Sequence, residues 1–363
     1  MRSTSGEHFI ALDQVRAFAV FLVIAWHFTH GRNGQPIPFE YFPSVLPFAL
    51  LDEGHTGVAL FMTLSGYLFA KLLDGKSVDY AAFLRNRLLR LLPLLAIVLV
   101  LVGIERIAEG TQSLGEYTAA VAKGLLLPTW PNGAWSITVE IHFYVLLPWL
   151  LWLMRDSPLR LVAIIAAAVG LRWVLWRGSG EVHYLAYWTI IGRIDQFVLG
   201  MLAFELRGLI ARRHLVVLAI LAAFMGVWWQ FDRLGGFYLN PTYPSTSPLW
   251  VILTMLEGIA YGTGIAWYDN SFAHSRSGAS RFVARIGEYS YSIYLLHFFV
   301  VFRASQFVHE RVMDISNFYL ACLWALLLLL CLVPVGYLSF RYVESPFLRM
   351  RKAYAIAASP ATA

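Results

Sequence analysis

Ten apolar stretches run through this chain, at 12–31, 54–73, 91–108, 134–154, 159–176, 187–206, 214–230, 249–268, 286–306 and 317–340. Each is close to the ~20 residues that an α-helix needs to cross a bilayer, whereas soluble core helices are usually shorter and apolar on one face. Composition agrees, with 59% hydrophobic residues, 14% charged residues and a mean hydropathy of +0.62. The predicted fold is all-α: a polytopic membrane helix bundle of about ten transmembrane helices, with lipid as its surroundings.

Lysine and arginine in the connections set the orientation, because they are retained on the cytoplasmic side. One set of loops is basic, holding Lys71, Lys76, Arg85, Arg87, Arg90, Arg155, Arg160, Arg207, Arg212, Arg213, Arg276, Arg281, Arg285, Arg341, Arg349, Arg351 and Lys352. The alternate loops carry scattered cations such as Arg32, Lys123, Arg177, Arg233 and Arg311. Both termini are expected to be cytoplasmic. Topology thus accounts for the net charge of +6, which gives no support to nucleic acid as a partner. Cys322 and Cys331 fall on opposite faces of one predicted helix, so neither a disulfide nor a metal site is expected. No cleavable secretory signal is expected, since the first apolar run lacks a small-residue cleavage site. Residues 1–352 read as one integral membrane domain and 353–363 as a disordered tail. The absence of an internal repeat argues against a transporter of duplicated halves.

The first span, "LDQVRAFAVFLVIAWHFTH", carries Arg16 and His27 eleven residues apart. On an α-helix they share a face, about 20° apart in azimuth and about 16 Å apart in height. Asp13 and His30 extend the stripe at either end. A stripe of this kind must line a cavity or meet other polar groups, since lipid tolerates it poorly. Arg16 reads either as a snorkelling cation paired with Asp13 or as a tunnel residue.

Further spans add polar groups. Ser136, Glu140 and Tyr144 recur every four positions in "WSITVEIHFYVLLPWL" and form one face. Glu140 is expected at a depth where its carboxylate orients His27, the arrangement a general base requires. Ser65 lies near mid-membrane before Gly66, where a packing role is the alternative. "GEYSYSIYLLH" places Ser290, Tyr294 and His297 on one face, and His297 competes with His27 for the role of base. Arg193 and Asp195 read as an internal ion pair. Arg87 and Arg90, one turn apart in "RNRLLRLLP", suit a phosphorylated ligand entering from the cytoplasm.

The segments "LDQVRAFAVFLVIAWH", "GVALFMTLSGYLF", "RNRLLRLLP", "WSITVEIHFYVLLP", "RIDQFVLGMLA" and "GEYSYSIYLLH", in this order, resemble the bacterial acyltransferase-3 family of integral membrane O-acyltransferases. The resemblance covers nearly the whole chain. It implies transfer of an acyl group, commonly acetyl, from cytoplasmic coenzyme A to hydroxyls of cell-surface or lipid-linked glycans and related acceptors. It implies a bacterial cytoplasmic (inner) membrane location. Carried onto this sequence, it singles out Arg16 and His27, Ser65 with Gly66, the pair Arg87 and Arg90, and Trp135, Ser136 and Glu140. Positions that depart from the family pattern are Gln14, Ala17, Ala59 and Ile141.

The expected mechanism has acetyl-CoA, or another acyl-CoA, as donor and no metal. Arg87 and Arg90 hold its phosphates, Arg16 orients the arm, and His27 takes the proton of the acceptor hydroxyl. Ser65 or Tyr294 donates to the oxyanion, and transfer is either direct or through a covalent relay on Ser65 or His27. The competing reading is a proton-coupled transporter or flippase of a glycan or acylated substrate that uses His27 and Glu140 as a relay.

Overall fold

A computed structural model describes residues 9–31 and 34–357 of the protein; Arg32 lies outside them. The architecture is helical: α1 (Ile10–Thr29), α2 (Thr56–Leu73), α3 (Tyr80–Ala108), α4 (Trp135–Asp156), α5 (Leu159–Ser179), α6 (Ile190–Glu205), α7 (His214–Arg233), α8 (Leu253–Ser271), α9 (Gly278–Glu288), α10 (Ser290–Phe299), α11 (Val301–Val312) and α12 (Phe318–Leu348). Shorter helices cap the connections, among them Leu114–Lys123, closed by a capping box between Ser113 and Glu116.

Among the described residues seven helices are long and apolar enough to cross a membrane, against the ten spans expected: α1, α2, α3, α4, α5, α7 and α12. An eighth arises if α10 and α11, bent by 58°, count as one broken span. The segments expected at 187–206 and 249–268 are helices, α6 and α8, but α6 has only 16 residues and both carry buried charge. Protein surrounds α6 along almost its whole length, so its residues need not satisfy lipid.

Those charges also pair differently from the sequence expectation. Arg172 of α5 donates to Asp195 at 2.5 Å, with both side chains fully buried. Arg193 instead faces Glu257 of α8 at 3.5 Å and lies over the Tyr187 ring. Glu257 also accepts from Thr56 at 2.7 Å and Gln196 at 2.8 Å, so α2, α6 and α8 are tied by one buried polar network.

Close approach of α2 and α6 fixes the middle of the bundle. A Cβ on Gly66 would lie 1.9 Å from the Phe197 carbonyl oxygen, and one on Gly200 would lie 2.0 Å from that of Thr63. The two helices therefore touch backbone to backbone, as small residues allow in membranes. Gly66→Ala is expected to force them apart and destabilise the fold by about 1–3 kcal/mol. A fall of several degrees in the unfolding temperature of purified protein checks this, and an unchanged temperature would show that the contact is unimportant.

α3 is 29 residues long, so it runs about 43 Å and continues beyond the hydrocarbon at its start. Arg87 and Arg90 therefore stand on the span's own helical extension. The expected tail from 353 is likewise corrected over its first residues: Tyr354 is buried, and Ala355–Ala357 pair antiparallel with Lys76–Val78.

Candidate active site

Two cavities lie along the bundle. The first, about 180 Å³, collects charge: Asp13 and Arg16 from α1, Ser65 from α2, Arg87 and Arg90 from α3, and Ser136, Glu140 and Tyr144 from α4. Ser290 and Tyr294 of α10 and the later residues Arg351 and Tyr354 complete it. The second, about 340 Å³, contains His27 and is otherwise mostly aromatic, with Trp26, Trp135, Trp188, Tyr238 and Phe298 among its walls. Val58 and Tyr294 line both.

In the arginine cavity the four-residue spacing on α4 has the expected result, since Ser136, Glu140 and Tyr144 share one wall. Tyr144 donates to Glu140 within the helix. Arg16 pairs with the buried Asp13 one turn earlier. Arg90 is held by Glu344, which also accepts from Ser292. Arg87 donates to the Tyr354 hydroxyl at 3.3 Å and lies over the rings of Phe69 and Phe83. The two arginines read as a pair are thus held differently.

His27 and Glu140 line different cavities, so the expected orienting role of Glu140 is not what the geometry shows. The partner of His27 is His297. His27 Nδ1 lies 2.8 Å from the Val23 carbonyl, which can only accept, so Nδ1 carries the proton. That leaves the Nε2 lone pair as the basic position. His297 Nδ1 faces the Tyr294 carbonyl at 2.5 Å by the same logic, and its Nε2 lone pair then faces His27 Nδ1 at 3.4 Å. An imidazolium formed on His27 would keep both acceptors at Nδ1. The His27 ring is packed edge-on against Phe298, 4.6 Å between centroids, and Trp26, 4.8 Å.

The wall between the cavities is hydrogen-bonded. Ser136 Oγ donates to the Tyr294 hydroxyl at 3.0 Å, and Tyr294 donates to the Gly133 carbonyl at 3.0 Å. Ser65 lines the arginine cavity and His27 the aromatic one. Trp135 stands in the aromatic cavity against Tyr187 and Trp188.

Sequence reading missed a buried cluster of carboxylates and histidines that reaches the aromatic cavity through His55 and Phe237. Glu53 accepts from the backbone N–H of Phe237 at 3.1 Å and faces His55 Nε2 at 3.0 Å, while Asp52 faces His30 at 3.2 Å. Burial and the neighbouring Glu53 push the Asp52 carboxyl well above the usual carboxylate range. Adjacent Asp52 and Glu53 with histidines at 30 and 55 were the available signal. Among the described residues no group of three or more histidine, cysteine or carboxylate side chains could hold a metal ion.

Comparison with known proteins identifies the family. A family model described as an acyltransferase domain matches residues 9–338. The chain is 28% identical to "Acyltransferase MdmB" of Streptomyces mycarofaciens, covering 97% of this chain and 95% of that protein. It is 24% identical to "O-acetyltransferase OatA" of Staphylococcus aureus (strain NCTC 8325 / PS 47), covering 94% of this chain and 57% of that protein. The "Putative O-acetyltransferase SACOL0978" of Staphylococcus aureus (strain COL) is 23% identical over 93% of this chain and 56% of its own length. The chain thus spans little more than half the length of these Staphylococcus relatives. No solved structure matches it. With the family match running over nearly all of its helices and several of them apolar enough to cross a membrane, the chain belongs to the acyltransferase-3 family of multi-pass membrane acyltransferases.

Proposed function

We propose that the protein moves an acyl group, acetyl in the first instance, from cytoplasmic acyl-CoA to a hydroxyl of a cell-surface or lipid-linked glycan, with His27 as general base. The observation that carries this reading is the division of the site: a cationic cavity and an imidazole-bearing aromatic cavity separated at Tyr294 and Val58. The donor's phosphates sit on Arg87 and Arg90, and Arg16 orients the thinner arm toward the wall. Aromatic faces opposite suit the apolar side of a sugar ring.

In the reaction His27 Nε2 takes the hydroxyl proton as the oxygen attacks the thioester carbonyl carbon. The carbon–sulfur bond then breaks, and the proton passes to the departing thiolate, giving ester and free coenzyme A. Tyr294, at the wall, would donate to the developing oxyanion on turning its hydroxyl proton away from the Gly133 carbonyl, with Ser136 still donating to its oxygen. Direct transfer is favoured over a relay through Ser65 because Ser65 and the proposed base line separate cavities.

Basic residues on the arginine-cavity side support a cytoplasmic mouth there, in a bacterial cytoplasmic membrane. Phe9 and Tyr354 both line that cavity, which supports putting the two ends of the described chain on the same side. Release of coenzyme A thiol by purified protein, dependent on both acetyl-CoA and a glycan acceptor, tests the reading. Acceptor movement with no thiol release would favour a transporter instead. Mass spectrometry of surface glycans from cells with and without the protein identifies the acceptor.

His297→Ala is expected to lower kcat about tenfold, the worth of one hydrogen bond of roughly 1.4 kcal/mol, with the KM for acetyl-CoA unchanged. His297→Gln offers a carbonyl oxygen in place of the lone pair and should recover part of the loss. Equal effects of both substitutions on KM alone would remove His297 from the base.

A further inference from the structure

Arg351, one of the topology-setting cations, also lines the same cavity as Arg87 and Arg90. Three anchors hold its segment against the start of α3. Glu344, just before it, is bonded to Arg90. Asn86, fully buried beside Arg87, clasps the backbone of Lys352 from both sides: its Nδ2 donates to the carbonyl at 2.6 Å and its Oδ1 accepts from the N–H at 3.0 Å. The Tyr354 carbonyl accepts from the Asp79 N–H at 2.8 Å, its hydroxyl accepts from Arg87, and the strand pair Lys76–Val78 with Ala355–Ala357 completes the seam.

This arrangement brings guanidiniums together. Burial, and then the charges of Arg87 and Arg90, hold the Arg351 guanidinium below its ordinary range. Like charges gathered in one cavity by buried polar contacts are stabilised when an anion enters between them, and guanidinium forks match phosphate oxygens.

We infer that the segment after α12 is part of the donor site, and that Arg351 is a third arginine binding the phosphates of the nucleotide half of the acyl donor. The inference rests on the donor reading proposed above. Tyr354 is a positioning residue that holds the Arg87 fork toward the same phosphates. The acyl end of the donor, deeper in the cavity, makes no use of Arg351.

Full-length protein in lipid nanodiscs, titrated calorimetrically with coenzyme A, adenosine 3′,5′-bisphosphate and S-acetylpantetheine, tests this. Arg351→Ala is expected to weaken coenzyme A and the bisphosphate about tenfold and to leave S-acetylpantetheine within twofold. Arg351→Lys, which keeps the charge but loses the fork, should fall between and guards against a folding defect. Arg349→Ala removes a charge two residues away at an exposed position outside the cavity and should change nothing. Wild-type affinity for coenzyme A in Arg351→Ala, alongside a loss in Arg87→Ala, would overturn the inference and leave the donor reading standing. Equal weakening by Arg349→Ala and Arg351→Ala would also overturn it, reducing the effect to general surface charge. Failure of wild-type protein to bind either coenzyme A or the bisphosphate would overturn the donor reading, and this inference with it.

Discussion

His27→Ala is expected to lower kcat for acyl transfer by about two to four powers of ten, while the protein still inserts and folds. The loss follows from removing an imidazole in the aromatic cavity whose Nδ1–H is fixed on the Val23 carbonyl, leaving the Nε2 lone pair basic. The fold tolerates the change because the Val23 carbonyl keeps its helical partner, the backbone N–H four residues on. The ring borders a cavity, so its removal enlarges an existing space. Thiol release from acetyl-CoA with acceptor present, measured beside the unfolding temperature, separates chemistry from stability. A variant that turns over within a few-fold of wild type, at equal stability, would end the role assigned to His27.

Arg90→Ala is expected to damage the fold as well as donor binding. Its partner Glu344 has a side chain only 1% exposed, so truncating Arg90 strands a buried carboxylate whose remaining support is Ser292. Breaking such a pair costs about 3–5 kcal/mol, and because Arg90 itself is 12% exposed at the cavity, the lower end is expected. Adding Glu344→Gln removes the stranded charge while keeping an acceptor for Ser292, and should restore at least half of the lost stability. Donor affinity should stay low in the double variant. Thermal unfolding of the single and double variants reads the first effect, and titration with coenzyme A reads the second. If Arg90→Ala were as stable as wild type, the ion pair would have no structural weight.

Much of the site was legible because helical spacing determines which residues share a face. Ser136, Glu140 and Tyr144 do line one wall, and Arg16 does pair with Asp13. Spacing does not tell how one helix is rotated against another. His27 and His297 are 270 positions apart, and nothing in either span says that they meet in preference to His27 and Glu140. Arg193 and Asp195 show the same limit at short range: two positions along a helix turn side chains to nearly opposite sides, so each found a partner on a different neighbour. Not every apolar run of the sequence became a helix long and apolar enough to span, for a related reason. Hydropathy registers apolar runs, but α6 is enclosed by protein and carries charge that only its neighbours make tolerable. Order at 354–357 is not legible in the sequence because the pairing there is made by backbone groups, anchored just upstream where Asn86 holds Lys352.

The wall at Tyr294 also bears on the energetics of the cell. A catalyst that draws one reagent from each side of an energised membrane would short-circuit the ion gradient if its two vestibules ever joined as a wet pore. Tyr294, bonded to Ser136 and Gly133, stands with Val58 where the two cavities meet, so in the proposed reading an acyl group would be handed across while ions stay where they are. In the proposed reading, that residue is the seal as much as it is part of the chemistry.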